Sequence, residues 1–584
     1  MRRQDELQDS VRNPAWGVVP HGAWSFVTDI PIFAAGLALF YAVVALARYW
    51  AGPFAPEAEI SNSPAALPKY ALYSVLRIAI AYFLSLAFTL VYGYVAAYNR
   101  KAERFMIPLL DILQSIPVLS FLPGVMLAMV SLFPRHQLGI ELGTILLIFT
   151  GQVWNMTFSF YSSLKSIPED MREVARLYRF TAWQRFTKME LPYAALGLIW
   201  NSMMSVAGGW FFLMACEMFV LGTRDFRLPG LGSYLQTASS AGDTRSILWG
   251  VAAMVSVIVL LDQMVWRPVI AWAQKFKFEQ VESSEAPRSP ILALLRKSHV
   301  LHVLDRRVSR PLAEALALHF AQRASSATGH LQGSKSKQWL LRLLGAALAI
   351  AISIAVVDAF RLLSGITRSD IGALFAGAGV TFLRVLCTLL IATAWTVPVG
   401  VKIGFNPRLA RIAQPLAQIA ASVPATALFP VVLLLLIRAG GGLGIGSIIL
   451  LLLGTQWYVL FNVIAGAMAI PTDLKEAADV FRLSGWDKWR RLILPGIFPY
   501  LVTGLVTAAG GAWNASIVAE YFHLKGETIS TIGLGATISH ATDAGNFPLL
   551  LAATILMAAI VVTVNRMVWR PMYRLAETRF RLEA

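Results

Sequence analysis

Few side chains in this 584-residue sequence could take part in chemistry, and those that could occur as matched pairs. Arg77 and Arg384 stand near the ends of two apolar runs. An arginine there either snorkels as an anchor or meets an anion. Glu217 and Glu520 close two further runs. Acids are out of place on an anion's path, which favours a structural pair or a gate hydrogen bond. Gln114 and Ser115, followed by Pro117 and Pro123, are answered by Gln418 and Ser422, followed by Pro424 and Pro430. Paired prolines free backbone groups that must be satisfied in protein or in a watery cavity, and broken helices can form substrate sites. Kinked packing is the plainer reading of the same residues. Trp210, Trp513 and Asn514 are candidates for a pathway or gate, against ordinary interface packing.

Covalent chemistry finds no support in these residues. There is no paired-carboxylate, triad or metal catalytic pattern. His299 and His302 form a lone HxxH, too little for a metal site. The run Gly329 to Lys335 (GHLQGSK) lacks the Gly-Lys-Ser/Thr ending of a phosphate-cradling loop. No catalytic residue, resident metal or cofactor is expected in this chain.

The elements that position these residues follow from composition. Hydrophobic residues make up 57% and charged residues 14%, with a mean hydropathy of +0.61. A soluble chain could not cover its surface with so few charges, whereas lipid absorbs such a sequence. Charge-poor runs at 30–47, 78–99, 112–134, 142–164, 191–216 and 246–261 are followed by six more at 343–357, 385–401, 412–437, 439–472, 492–519 and 544–565. None alternates, so helices rather than barrel strands are expected. With the N-terminus in the cytoplasm, the basic turns at 99–104 and 405–411 fall inside, together with the long 165–190 and 471–491 connections. The 267–337 segment, with twelve basic and five acidic residues, falls inside as well. The net charge of +17 is then a positive-inside signature rather than a nucleic-acid footprint. Both termini are expected in the cytoplasm of a multi-pass protein. The 291–320 stretch is either an interfacial amphipathic helix or a tether.

The chain is written twice. Arg77, Gly93, Asn99, Arg104, Pro108, Pro117 and Pro123 recur 307 residues later, and Gly151, Trp154, Pro168, Glu173, Pro192, Trp210 and Glu217 recur 303 residues later. The run MVWRP at 264–268 returns unchanged at 567–571. The expected organisation is a first repeat at 1–271 (core about 70–270), a basic cytoplasmic linker at 272–337 and a second repeat at 338–584 (core about 377–571). Two same-sense halves imply a two-fold-like axis along the membrane normal, with any pathway between them.

The connections between the fourth and fifth spans carry the most specific motif. They read as short helices outside the membrane, with Asp170–Glu173 and Asp473–Glu476 at capping-box spacing. Val174, Leu177 and Phe180, and Ala477, Val480 and Leu483, recur at helical spacing as an apolar stripe that wants a partner. Glu476-Ala477-Ala478 with Leu494-Pro495, and Glu173-Val174-Ala175 with Leu191-Pro192, resemble the EAA loop of ABC importer permeases. Ser422-Val423-Pro424, Phe429-Pro430 and Ala512-Trp513 resemble the nitrate, sulfonate and taurine branch of that family.

The resemblance implies an all-α integral membrane protein of about twelve helices, arranged as two six-helix type I repeats, in a bacterial inner membrane. It also implies two cytoplasmic ATPase subunits that bring ATP and Mg and dock one on each EAA loop. An external solute-binding protein and a small anion such as nitrate, a sulfonate or bicarbonate complete the implied system. Arg179 and Arg482 stand where the family has glycine, so an arginine there either adds a docking charge or alters the turn. A secondary transporter with six plus six spans is the rival reading. It would lack the EAA loops and be expected to carry charged relays in its spans.

Overall fold

The computed structural model describes residues 59–276 except 135 and 222–223, residues 290–297, scattered positions between 303 and 354, and residues 356–579 except 525–526. The first half runs α1 Leu67–Tyr98, α2 Arg100–Ser115, α3 Leu122–Leu132, α4 Leu138–Lys165, α5 Glu169–Leu177, α6 Leu191–Glu217, α7 Leu231–Ala241 and α8 Thr244–Leu261. A two-residue-stranded hairpin, β1 Val220–Leu221 and β2 Arg224–Asp225, lies between α6 and α7. The second half repeats the order: α9 Arg368–Phe405, α10 Pro407–Ser422, α11 Ala425–Arg438, α12 Leu443–Ala469, α13 Thr472–Val480, α14 Leu494–Ala519, α15 Leu534–Asp543 and α16 Phe547–Val564. Its hairpin is β3 Tyr521–Leu524 with β4 Glu527–Ser530.

Among the described residues, eight continuous helices, four in each half, are long and apolar enough to cross a membrane. The expected span at 30–47 lies outside the described residues, and 343–357 is described only at scattered positions. Of the 291–320 stretch, only Pro290–Lys297 is described as a continuous helix. The fold is all-α and membrane-spanning, with two small hairpins at one end.

The runs at 112–134 and 412–437 are not single helices. Each is broken where a proline forces the preceding residue out of the helical region. Ile116 and Val423 are extended, as are Pro117 and Pro424, and a shorter apolar helix restarts on the far side. The second spans also begin earlier than the charge-free runs suggested, at Leu67 and Arg368 rather than 78 and 385. The charge criterion cut them at Arg77 and Arg384, which in fact lie within the helices as buried residues.

The broken third spans join the two halves. Leu119 N donates to Asn514 Oδ1 at 3.4 Å, Thr554 Oγ1 donates to Ser120 O at 3.0 Å, and Arg570 and Asn565 both reach Asp111. One buried cluster holds Val118, Leu119, Leu122 and Met126 together with α9, α12, α14 and α16 residues. Reciprocally, α11 lies against α6, α7 and α8, and Ala427 and Val431 pack in the first half's cluster. Within each half, small residues let helices approach closely. A Cβ on Gly404 would meet Ala467 Cβ at 2.6 Å, and one on Gly93 would meet the Phe160 ring at 2.8 Å.

The short helices α5 and α13 start differently from the expected capping box. Their N-caps are Pro168 and Pro471, without side-chain caps, so Asp170 and Asp473 already lie inside the first turn. Their ends are Schellman turns. Phe180 N donates to Ala175 O and Arg179 N to Arg176 O, while Leu483 N and Arg482 N repeat the pair on Ala478 and Asp479. That turn needs a left-handed residue, and it falls on Arg179 (φ 50°) and Arg482 (φ 52°). The family's glycine suits this position for that reason. The left-handed region costs a non-glycine residue about 1–2 kcal/mol. Arg179→Gly and Arg482→Gly are each expected to raise the thermal midpoint of the detergent-solubilised chain, and together to add. An unchanged or lower midpoint would show that the arginine side chains more than offset the backbone strain.

Candidate functional site

Three places gather the residues that matter, and they lie at different depths. At the end bearing the basic turns, α5 and α13 sit outside the bundle. The position of that end is fixed by Glu103, in the first turn of α2, which accepts from Tyr161 Oη at 2.6 Å and Lys165 Nζ at 3.0 Å. These two donors hold the Glu103 carboxyl below its usual range.

The third residue of each EAA motif is the anchor. Ala175 and Ala478 are buried in the packed clusters, where a larger side chain would push the helix away. Glu173 and Glu476 are exposed, Val174 is exposed and Ala477 half-buried. The stripe splits in two, because Phe180 and Leu483 pack inward. Leu177 (80% exposed), Tyr178, Val480 (79% exposed), Phe481 and Trp486 face outward. Arg179 and Arg482 are exposed beside them. Leu191-Pro192 and Leu494-Pro495 open α6 and α14, directly after π-helical turns at Phe186–Glu190 and Trp489–Ile493. Arg185 pairs with the buried Glu190 at 2.8 Å, and Lys488 pairs with Asp479 at 2.7 Å, so each loop is tied down by a different ion pair.

At the opposite end, Arg77 is fully buried. Its Nε and Nη2 donate to the two oxygens of Glu141, and Nη1 donates to Glu217 Oε1, each at 2.7 Å; Nη1 also reaches Pro229 O at 2.9 Å. Glu217 in turn accepts from Ser74 Oγ and from Gly232 N. In the second half Arg384 Nη1 donates to Glu520 Oε1 at 3.0 Å and to Ile532 O at 2.6 Å. Thr381 and the Gly535 and Ala536 amides complete the Glu520 shell. Gly230 and Gly533 lie so close to these carboxylates that a Cβ on either would clash with them.

Arg77 is therefore held in a sealed structural tie rather than set at a span's end as an anion contact. Glu217 is one of its acids and Glu520 is the acid of Arg384, as the structural-pair reading expected. Glu141 was not foreseen. It opens α4 just before the charge-free run that marks the span, so the same filter that finds spans discards it.

Between the halves, on the side of the hairpins, is a cavity of about 460 Å³. Arg227, Gln236 and Ser240 line it from the first half, and Tyr521, His523 and Asp543 from the second. Arg227 Nε donates to both Asp225 oxygens, at 3.0 and 2.9 Å, and Nη1 reaches Thr237. Asp543 Oδ2 accepts from Tyr521 Oη at 2.6 Å and lies 3.1 Å from His523 Nε2. Burial, with the Asp543 charge, pushes the Tyr521 phenol up from its ordinary range. Such a site can hold a small polar solute.

None of these cavity residues was foreseen: Arg227, Tyr521 and His523 lie on loop and hairpin segments without a periodic signal, and Gln236, Ser240 and Asp543 lie on the short helices α7 and α15, outside the apolar runs. Trp210 and Trp513 pack in the core instead of along the cavity. Asn514 does lie between the halves, accepting from Leu119 N. Gln114 is exposed on α2, while Ser115, Gln418 and Ser422 are placed only through α2 and α10.

Removing one partner of a buried charge pair costs about 3–5 kcal/mol, because the other charge stays buried. Arg77→Met leaves two carboxylates without their cation and Arg384→Met leaves one. Arg77→Met is expected to lower the denaturation midpoint more. Equal losses in the two variants would show that Glu141 contributes nothing to the tie.

The comparisons with known proteins agree with this architecture. Residues 89–262 and 396–578 each match the family described as binding-protein-dependent transport system inner membrane component. A putative ABC transporter permease protein of Methanocaldococcus jannaschii is 27% identical over 35% of this chain and 76% of its own length. A nitrate import permease protein of Leptolyngbya laminosa is 27% identical over 36% of this chain and 71% of its own length. A putative aliphatic sulfonates transport permease protein of Bacillus subtilis is 27% identical over 35% of this chain and 70% of its own length. Those proportions are what one repeat aligned with a single-copy subunit produces. With two copies of the matching domain on one polypeptide, the chain belongs to the binding-protein-dependent transport system inner membrane component family.

Proposed function

We propose that this chain is the membrane-spanning subunit of an ATP-driven importer, with both permease halves on one polypeptide and the pathway between them. The observation that carries the reading is the pair of short helices α5 and α13. Each is fixed to the bundle by a buried alanine and turns large apolar side chains outward. Leu177, Tyr178, Val480 and Phe481 form surfaces of the kind that partners cover. The partners proposed are two cytoplasmic ATPase subunits, one per helix, which supply ATP and Mg. The membrane is then the inner membrane, with both termini on the ATPase side.

Closure of the ATPases would draw α5 and α13 together. Because α6 and α14 follow directly on those loops, the movement would reach the cavity between the halves. A solute-binding protein would deliver cargo at the hairpin end. The nitrate and sulfonate relatives support a small anion as that cargo. Arg227 at the cavity wall is compatible with an anion but is already paired with Asp225. This chain would hydrolyse nothing itself.

The test places a charge on each exposed face. Leu177→Glu combined with Val480→Glu alters side chains that touch little of the fold, so yield and melting midpoint should hold. ATPase co-purification should fall by about thirtyfold or more, as for loss of a central apolar contact. Uptake of radiolabelled nitrate in cells expressing the whole system should fall with it. Retained association and uptake in that variant would remove α5 and α13 as the docking elements. Uptake that persists without any ATPase would instead mark a secondary transporter.

A further inference from the structure

The two buried networks differ at one position. In the first half Glu141, in the first turn of α4, forks the Nε/Nη2 edge of Arg77 with both bonds at 2.7 Å. At the repeat spacing of 303 the equivalent residue is Gly444, in the first turn of α12. Arg384 keeps Glu520 and Ile532 O on Nη1, and Thr531 Oγ1 lies 2.9 Å from Nη2. Among the described residues nothing accepts from its Nε. Arg384 is only 8% exposed, so one edge of a buried guanidinium lacks the carboxylate that covers its counterpart.

The room that a side chain at 444 would take is open. A Cβ on Gly444 would lie 3.9 Å from Thr531 Oγ1 and within 4 Å of no other atom. The start of α12 adds donors. Gly446 N bonds to Gly442 O, but the amides of Leu443, Gly444 and Ile445 precede the first intrahelical bond. With the dipole of a 27-residue helix behind them, they favour an anion. Charge points the same way. The first network holds one cation and two carboxylates, and the second holds one cation and one carboxylate, so a single monovalent anion would make them equal.

We propose that the Arg384 edge beside Gly444 binds one small planar monovalent oxyanion, such as nitrate, bicarbonate or a simple carboxylate, in the place that the Glu141 side chain fills in the first half. Two oxygens of a planar ion fork Nε and Nη2 as Glu141 does for Arg77, and the free edge of the ion faces the α12 amides. A tetrahedral dianion would leave the second network with one negative charge more than the first. The site is asymmetric: one per chain, in the second repeat. That the ion is cargo rests on the anion-permease reading, whereas the binding itself does not.

The experiment uses the purified full-length chain in detergent, without ATPase, and equilibrium dialysis of ¹⁴C-formate. Saturable binding of one formate per chain is expected, displaced by nitrate and by bicarbonate, with sulfate weaker by about tenfold or more. Gly444→Glu copies the first half and should abolish binding without lowering the melting midpoint, while Gly444→Ala should retain it. No saturable binding by the unmodified chain would overturn the proposal. Two equivalent sites would do the same, since the Arg77 edge is filled, and so would formate binding by Gly444→Glu as tight as that of the unmodified chain. If Gly444→Glu does not accumulate, the stoichiometry of the unmodified chain still decides. A chain that binds one formate yet imports nothing with an ATPase keeps this inference and loses the coupled-import reading. Import without this site does the reverse.

Discussion

A guanidinium withdrawn from water inside a bundle of apolar helices persists only where carboxylates go with it, and in this chain that requirement organises one whole end of each half. Arg77 reaches α4 through Glu141, α6 through Glu217 and the segment before α7 through Pro229 O. Glu217 accepts from the Gly232 amide in the first turn of α7 and from Ser74 on α1. One buried residue thus sets the relative positions of four helices. The glycines at 230 and 533 are part of the same constraint, because the chain must pass within contact distance of the acids. Hydrogen bonds satisfy nearly every arm of these charges, which is the condition under which a buried ion pair is tolerated.

The opposite end is built on different physics. Ala175 and Ala478 seat α5 and α13 by small-residue packing, and half-exposed ion pairs such as Lys488–Asp479 add little to that hold. The rigid connection between the two ends is α6 in one half and α14 in the other. Leu191–Glu217 has 27 residues, about 40 Å at the rise of an α-helix. It begins one π-turn after the EAA loop and ends on the carboxylate of the tie. This helix links the loop to Glu217, and the cavity between the halves is lined by residues around that end. The broken third spans tie the halves together, since each packs into the other's core.

How much of this was legible in the sequence depends on whether a feature was periodic. Duplication, most span positions and the EAA loops are repeated or patterned, and the structure reproduces them in both copies. The misplaced starts of α1, α4 and α9 share one cause, which is that charge was read as a boundary. Arg77 and Arg384 cut α1 and α9 short, and Glu141 fell outside its own span, because the carboxylate that neutralises each arginine lies 64 or more residues away in sequence. The capping boxes failed for a local reason: Pro168 and Pro471 start the helices two residues earlier than the acids suggested. The arginines at 179 and 482 were legible as departures. Only the backbone showed that they occupy a left-handed position, where the departure is one of conformation as well as charge.

Fusion of two copies removes the symmetry that a homodimer would impose. In a pair of identical subunits, a glycine in place of Glu141 would remove the carboxylate from both arginines at once and weaken both ends of the assembly. On one polypeptide the first half can keep the full tie while the second gives up one acid, and Thr531 accepts from Arg384 Nη2 where Glu141 accepts from Arg77 Nη2. The hairpins diverge in the same way, with two paired residues per strand in the first half and four in the second. Cavity-facing groups follow: Arg227 with Asp225 on one side, and Tyr521 and His523 with Asp543 on the other. One wall thus carries an arginine–aspartate pair and the other a carboxylate with a phenol and an imidazole, a difference between the two sides of the cavity that no two-fold pair of identical chains could provide.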